Sequence, residues 1–289
     1  MPTTLIINAD DFGYLPGVTD AIIDAHRRGI LTSTTLMCTM PDAARAIAEA
    51  ARTPTLGVGI HLCLTQGRPL APGHRHITRH PRSAQGERTK SSEAILDQSV
   101  RELLLKVQFS RAARLEAHAE WHAQIDFAIS RGLRPTHLDS HKHIHHWPVL
   151  AKIAIELAKE YGIPAIRSAR EVRIGRGPRG TGYRVVGHLA NRLAKQIHAA
   201  GLQTSDWFYG LAATGRFDSA HWEGIVKQLP EGIGEIMVHP GAADGLAATG
   251  TRLIAAREAE WKGLIEPRIA EALRERNVRL GSWAIFAPK

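Results

Sequence analysis

The segment Leu5-Ile6-Ile7-Asn8-Ala9-Asp10-Asp11-Phe12-Gly13, close to the start of the chain, sets the fold class. Its first four residues predict a short buried strand. The next apolar residues, Val18, Ile22 and Ala25, follow helical spacing. They predict a helix from Gly17 to Arg28. A buried strand followed by an amphipathic helix is the repeating unit of a parallel α/β sheet.

The same alternation continues along the chain. It predicts further strands over 34–38, 56–62, 136–138, 165–167, 204–208, 235–238 and 279–283, and further helices over 43–51, 94–130 and 148–161. Alternation favours a parallel sheet, and about eight strands favour a barrel. We therefore predict an α/β fold, a (β/α) barrel-like arrangement that forms a single domain over residues 1–289.

Two segments interrupt this alternation. Gly67 to Ser92 is rich in Pro, Gly, Arg and His and lacks periodicity, whereas Glu171 to Tyr183 is short, glycine-rich and basic. Long loops in compact domains usually act as lids or binding loops. We expect both segments to overhang the mouth of the barrel and to contact whatever binds there. The alternative is a solvated charged rim that only aids solubility.

Composition and charge narrow the class of protein. The 289 residues have an ordinary globular composition, which excludes collagen, coiled coil and disorder. Lys and Arg number 37 against 28 Asp and Glu, and the net charge of +9 favours anionic partners. Cys38 and Cys63 have no CxxC pairing, and the sequence contains neither a leader peptide nor 18 consecutive apolar residues. We therefore expect a cytoplasmic protein.

The densest group of polar residues is Thr136-His137-Leu138-Asp139-Ser140-His141-Lys142-His143-Ile144-His145-His146. Because alternate residues of an extended chain share a face, we expect four side chains to converge here: Asp139, His141, His143 and His145. Neutral imidazole and carboxylate suit a borderline divalent ion such as Zn²⁺. The alternative interpretation is a His-rich surface turn.

Polar residues also follow three other predicted strands. Asp10 and Asp11 come directly after the first strand, His61 lies near the end of the third, and His239 follows the apolar strand over 235–238. Two adjacent carboxylates are costly to bury unless a cation lies nearby. Taken singly, the two aspartates are explained by a turn in which Asp caps the following helix, and each histidine by a place in the core. In a barrel, however, the carboxyl ends of the strands face one common mouth.

With these motifs in place, the chain resembles the YdjC-like carbohydrate deacetylases, a family that includes chitooligosaccharide deacetylase and the hopanoid-biosynthesis-associated deacetylase-like proteins. The matching motifs keep the family's order and extend over nearly the whole chain. They are Asn8-Ala9-Asp10-Asp11-Phe12-Gly13, Gly29-Ile30-Leu31-Thr32-Ser33-Thr34-Thr35, Gly59-Ile60-His61-Leu62, the segment from Pro135 to His145, His239-Pro240 and Arg279-Leu280-Gly281-Ser282.

The resemblance implies a barrel-like deacetylase fold with one divalent metal ion, Zn²⁺ or Mg²⁺, held by Asp11, His61 and His141. It also implies that Asp10 is the general base and that His239 is an acid or an oxyanion partner.

Three further residues complete the predicted site. His143 and His145 are expected to face the substrate or to support the metal ligands. Asp139 either contacts the substrate or orients a ligand histidine.

We therefore expect a metal-dependent hydrolase that removes an acetyl group from an N-acetylated amino sugar, in an oligosaccharide or glycolipid, by metal-activated water. One alternative is another barrel metal hydrolase, of the amidohydrolase type, acting on a different amide or ester. The other is a non-enzymatic binder of anions or nucleic acid. The basic loops lack interleaved aromatic residues, so we expect no nucleic-acid partner. A lipid substrate would add peripheral membrane contact, and the sequence leaves a homodimer open.

Overall fold

In the computed structural model, which describes residues 3–79, 94–96, 99–174, 181–246, 251 and 253–288, one parallel sheet of seven strands alternates with helices. The strands are β1 Thr3–Phe12, β2 Ser33–Leu36, β3 Gly57–Leu62, β4 Leu138–Ser140, β5 Trp207–Tyr209, β6 Gly232–Val238 and β7 Arg279–Gly281. The helices are α1 Pro16–Arg28, α2 Ala43–Ala51, α3 Val100–Phe109, α4 Arg111–Ile129, α5 Pro148–Glu160, α6 Thr181–Ala199, α7 Ser219–Val226, α8 Ile254–Leu264 and α9 Pro267–Glu275.

The sheet has the strand order β4-β3-β2-β1-β6-β5, and β1 lies near its centre. All residues of β1 after Thr3 are buried, as expected for a parallel strand that is covered on both faces. β7 pairs with β1 over Thr4 to Ile6, and β2 joins β1 from Asn8 onward. The first strand is therefore central to the sheet, and it is buried as the opening apolar run predicts.

Isolated bridges connect the two edge strands β4 and β5. Leu138 pairs with Ile166, Ala165 with Gln203, and Glu171 with Phe208. These bridges complete a ring of backbone pairing, and the predicted (β/α) barrel-like fold is confirmed. The predicted strand over 165–167 is present only as bridges, and the one predicted over 204–208 begins later, at Trp207.

The predicted helices are present with one difference, and four further helices, α6 to α9, were not predicted. α1 buries Val18, Ile22 and Ala25. The single helix predicted over 94–130 is instead two helices that meet at Ser110, whose hydroxyl accepts the Ala113 N–H as a cap. A serine that bonds the backbone in this way favours a helix start over a helix interior.

One hydrophobic core joins the sheet to the helices, from Leu5 in β1 to Leu273 in α9. Cys38 and Cys63 are free and buried in this core. Among the described residues, no helix has the length and apolar character that a membrane crossing needs.

The described part of the first loop, residues 67–79, is attached to α4. Glu116 accepts backbone N–H groups from residues 75–77, and Glu120 accepts them from residues 70 and 71. Residues 80–92 of this loop and 175–180 of the second lie outside the described residues, and residues 181–183 belong to the first turn of α6. The predicted contact of both loops with substrate stays a prediction.

Candidate active site

A β-bulge at the end of β1 separates the two adjacent carboxylates. The register between β1 and β2 shifts between Ala9 and Phe12, and Asp11 has a φ of 71°, in the left-handed region. A bulge inserts a residue that re-aims the side chains around it. The Asp10 carboxylate therefore faces Arg167, whereas that of Asp11 faces a different set of partners. Two neighbouring negative charges are tolerated because each has its own cations.

Asp11, His61 and His141 form a candidate metal centre, with one ligand atom from each residue within 4.8 Å of the others. Oδ1 of Asp11 lies 3.6 Å from Nε2 of His61 and 3.4 Å from Nδ1 of His141. This oxygen is buried and has no hydrogen-bond partner. Two imidazole nitrogens and one carboxylate oxygen match a catalytic zinc site with open positions. The three residues therefore fit a divalent ion.

His141 reaches this centre through an unusual turn. The chain leaves β4 at Ser140 and continues as a 3₁₀ turn, His141–His146, in which Lys142 and His143 have φ values of 57° and 54°. The extended conformation predicted for this segment is therefore wrong, and its alternate side chains do not share one face. Of the histidines in the segment, only His141 joins Asp11 and His61 in the metal group.

Asp139 lies behind His61. Nδ1–H of His61 donates to Oδ1 of Asp139 over 2.7 Å, and the Thr35 hydroxyl donates to the other oxygen. A carboxylate behind a ligand histidine fixes the ring so that its second nitrogen faces the metal. Asp139 has no exposed surface. Its position favours the orienting role over the predicted substrate contact.

The two other predicted substrate residues differ in environment. His145 is fully buried; its Nδ1 accepts the Ser140 hydroxyl and its Nε2–H donates to the Arg167 carbonyl. Burial lowers its pKa well below the usual range, which favours a structural role for this neutral ring. His143 is half-buried, packs edge-on against Phe208 and has no hydrogen-bond partner at its buried Nδ1. Of the two, His143 is better placed to meet a ligand.

Arg167 is the central cation of the site. It lies in the segment that bridges β4 and β5, and it is fully buried. Its Nη1 and Nη2 donate to the two oxygens of Asp10 over 2.9 and 2.8 Å, and its Nε donates to Glu235 over 2.9 Å. It also pairs with Asp139. Burial opposes ionisation of Asp10, but Arg167 and then His61 hold the pKa of this carboxyl well below its usual range.

A second group, Asp10, His61 and Asp139, also brings ligand atoms within 4.8 Å of one another. Both carboxylates of this group are paired with Arg167. A dication placed there would meet the guanidinium at close range and in a buried setting, where like charges repel strongly. The geometry therefore favours the group that contains Asp11.

Helix α8 supports the other side of the site. The Arg257 guanidinium pairs with Oδ2 of Asp11, which leaves Oδ1 free to bind an ion. Glu260, one turn later, accepts the backbone N–H of His239. Burial lowers the pKa of His239 to about 4, although Asp10 and Asp11 act in the opposite direction. The His239 ring is therefore neutral at pH 7.

Sequence reasoning did not identify five residues of this site. They are Thr35, Arg167, Glu235, Arg257 and Glu260. For Arg167 a signal exists, because it is a charged residue at the carboxyl end of a predicted strand, where barrels place their chemistry. Glu235 likewise occurs within a predicted apolar strand. Nothing in the local pattern of α8 indicates that Arg257 faces Asp11.

Comparison with known proteins places the chain among proteins of the same length. The family model described as YdjC-like protein matches residues 4–275. A carbohydrate deacetylase of Geobacillus stearothermophilus is 32% identical over 99% of both chains, and one of Brevibacillus brevis is 31% identical over 97% of this chain and 98% of the relative. A crystal structure from Enterococcus faecalis V583, described as that of a candidate cellobiose-phosphate cleavage protein, is 28% identical over 100% of both chains with a TM-score of 0.71. The chain belongs to the family of YdjC-like proteins.

Proposed function

We propose that this chain is a metal-dependent carbohydrate deacetylase, a hydrolase that removes the acetyl group of an N-acetylated amino sugar. The observation that carries the proposal is the buried, unpartnered Oδ1 of Asp11 beside the ring nitrogens of His61 and His141. The relatives from Geobacillus and Brevibacillus are named carbohydrate deacetylases, and the similarity extends over nearly their whole length. They support a carbohydrate substrate.

Asp11, His61 and His141 would hold the ion, and two imidazole donors favour Zn²⁺ over Mg²⁺. When bound there, a divalent ion supplies Lewis-acid chemistry: it lowers the pKa of a water molecule and polarises the acetamide carbonyl. Asp139 accepts a hydrogen bond from Nδ1–H of His61, which would leave Nε2 to hold the ion. Arg257 pairs with Oδ2 of Asp11, which would leave Oδ1 to hold the ion.

Asp10 accepts the proton of the attacking water, and Arg167 keeps its carboxylate ionised and immobile. His239 begins the reaction as a neutral ring because burial lowers its pKa. In that state it donates a hydrogen bond to the developing oxyanion. The leaving amine takes up the proton that Asp10 removed from water, and His239 can deliver it only after receiving it from Asp10. Of the two roles implied by the resemblance, we therefore favour the oxyanion partner for His239.

The deciding experiment measures acetate release from a panel of N-acetylated sugars and glycolipids, after chelation and after metal is added back. Activity that disappears with the metal and returns with it supports the proposal. Other amides and esters belong in the panel, because turnover of those alone would favour the amidohydrolase alternative. No turnover of any compound by the metal-loaded protein would contradict an enzymatic role.

His141→Ala is expected to lower metal content and acetate release together, because one of three ligands is lost from a site that is otherwise intact. Metal content is measured by elemental analysis of the purified protein. His188→Ala, which removes an exposed histidine of α6, is the matched control and should change neither quantity. Full metal occupancy in His141→Ala would remove this residue from the ligand set.

The positive charge of the chain predicts a preference for anionic sugars. The net charge is +9, and the relative from Enterococcus is described with a phosphorylated disaccharide. A phosphate on the substrate would pair with arginines of the first loop. Arg79 already pairs with Glu102 of α3, so the exposed Arg75 is the better candidate.

We expect kcat/KM to be higher for phosphorylated than for neutral N-acetyl sugars, and the difference to shrink at high salt. Arg75→Ala/Arg82→Ala should reduce the preference. Arg82 lies outside the described residues and is included for its sequence position. Lys195→Ala/Lys227→Ala removes the same charge elsewhere and should keep the preference. Equal kcat/KM at both salt concentrations, unchanged by the loop substitutions, would eliminate the anionic substrate and leave the deacetylase proposal intact.

A further inference from the structure

A second cluster of metal-ligating side chains lies on the outer faces of α4 and α5, among residues that the candidate active site does not use. His118 and His122 are one turn apart on α4, and Glu156 and Glu160 are one turn apart on α5. Residues at this spacing share one face of a helix. The two faces meet: Nε2 of His118 lies 4.0 Å from Glu156, and Nε2 of His122 lies 3.4 Å from Glu160.

The ring of His122 is already oriented. Its Nδ1 lies 3.2 Å from Oδ2 of Asp126, and the Tyr161 hydroxyl donates to Oδ1 of the same carboxylate over 2.6 Å. Tyr161 also packs edge-on against the His122 ring, with centroids 5.3 Å apart. A carboxylate bound to one ring nitrogen is the arrangement that presents the other nitrogen to a metal. Nε2 of His122 therefore faces Glu160 as a ligand would.

The 3.4 Å between Nε2 of His122 and the Glu160 carboxylate matches the spacing of two ligands in a zinc site. Two ligands of a tetrahedral zinc ion, each about 2.1 Å from the metal, lie about 3.4 Å apart. The ring centroids of His118 and His122 are 6.4 Å apart, so His118 has to rotate to reach the same ion. Its side chain is 33% exposed and that of Glu156 is 66% exposed, so the proposed site requires both side chains to change rotamer at the surface.

We propose that His118, His122, Glu156 and Glu160 form a second metal site, separate from the candidate active site, that binds a borderline divalent ion such as Zn²⁺. Two histidines at this spacing on one helix are a known way to bind zinc. As ion pairs alone, such exposed groups would contribute little. An ion shared between them would tie α4 to α5.

Such a link has a consequence for the rest of the molecule. On its buried face, α4 carries Gln124, whose amide binds both the N–H and the carbonyl of Cys63, directly after β3. β3 carries His61. Metal binding between α4 and α5 would therefore stabilise the helix on which the end of β3 is fixed, without contact with substrate.

The test counts zinc ions. The full chain is stripped with a chelator and titrated with Zn²⁺ in competition with a chromophoric chelator. We expect the wild type to bind one equivalent more than His118→Ala/His122→Ala. His188→Ala/His198→Ala removes two exposed histidines of α6 and should bind as the wild type does. An equal number of equivalents in wild type and His118→Ala/His122→Ala would overturn the proposal.

A second measurement, of melting temperature, distinguishes zinc binding at this site from zinc binding at the candidate active site. Zn²⁺ should still raise the melting temperature of His61→Ala, and should do so much less when His118→Ala/His122→Ala is added to that variant. If the candidate active site binds no ion, the wild type binds one equivalent and His118→Ala/His122→Ala binds none, so the α4–α5 site stands while the proposed function fails. No shift in His61→Ala would contradict the second site.

Discussion

Asp10→Asn should lose most of its turnover while keeping its metal. General-base catalysis contributes about 10²–10⁴-fold to a rate, and an asparagine amide cannot accept the proton. Arg167 holds the pKa of Asp10 well below its usual range, which makes the carboxylate a weak base. We therefore expect a loss toward the lower end of that range, about 10²-fold in kcat. The measurement is kcat for acetate release together with metal content.

The neighbouring position provides the matched control. Asp11→Asn should lower metal affinity, because it weakens a ligand, whereas Asp10→Asn should leave the affinity unchanged. The bulge after Ala9 gives the Asp10 and Asp11 side chains different partners. One variant should therefore affect turnover and the other metal affinity. If Asp10→Asn removes the metal and Asp11→Asn does not, the two aspartates have the opposite roles.

Arg167→Leu is expected to have the largest effect on folding. The substitution leaves three buried carboxyl groups, those of Asp10, Asp139 and Glu235, without their shared cation. Removing one partner of a buried ion pair costs about 3–5 kcal/mol, because an uncompensated charge stays behind. We expect the free energy of unfolding, measured in urea at pH 7, to fall by at least that order.

The pH dependence of this loss has a definite sign. The folded-state pKa of Asp10 is depressed, so its stabilisation is present above the unfolded pKa and disappears as the pH falls through the folded value. The difference in stability between wild type and Arg167→Leu should therefore shrink in acid. Arg52→Leu, which removes an exposed pair with Glu49, is the control and should have little effect.

If Arg167→Leu does not fold, Arg167→Lys still tests whether the Arg167 guanidinium stabilises the buried carboxyl groups. Lysine keeps the charge but not the planar fork that binds both oxygens of Asp10. It should fold with an intermediate stability. A stability equal to wild type in either variant would show that the cluster does not depend on the guanidinium.

The sequence by itself determined the order of most strands, the helices up to residue 161, the barrel-like class, and the strand ends that carry Asp11, His61 and His141, but it did not indicate α6 to α9. These follow from local periodicity, because burial on one or both faces of an element dictates which positions are apolar. Parallel strands then bring their carboxyl ends to one edge without further information. The break at Ser110 was missed because propensity separates one long helix poorly from two short ones.

Only the tertiary structure decided which charged residues of the site pair with one another. Arg167 pairs with Asp10 across 157 positions, and Arg257 reaches Asp11 across 246, so no local spacing relates them. The bulge at Asp11 and the left-handed turn after His141 also depend on the surrounding packing, since both conformations are unfavourable in isolation. Local patterns specify which face of an element is buried. The fold specifies which charged residues pair inside the barrel, because a buried charge is stable only beside a partner, and other strands and helices bring that partner to it.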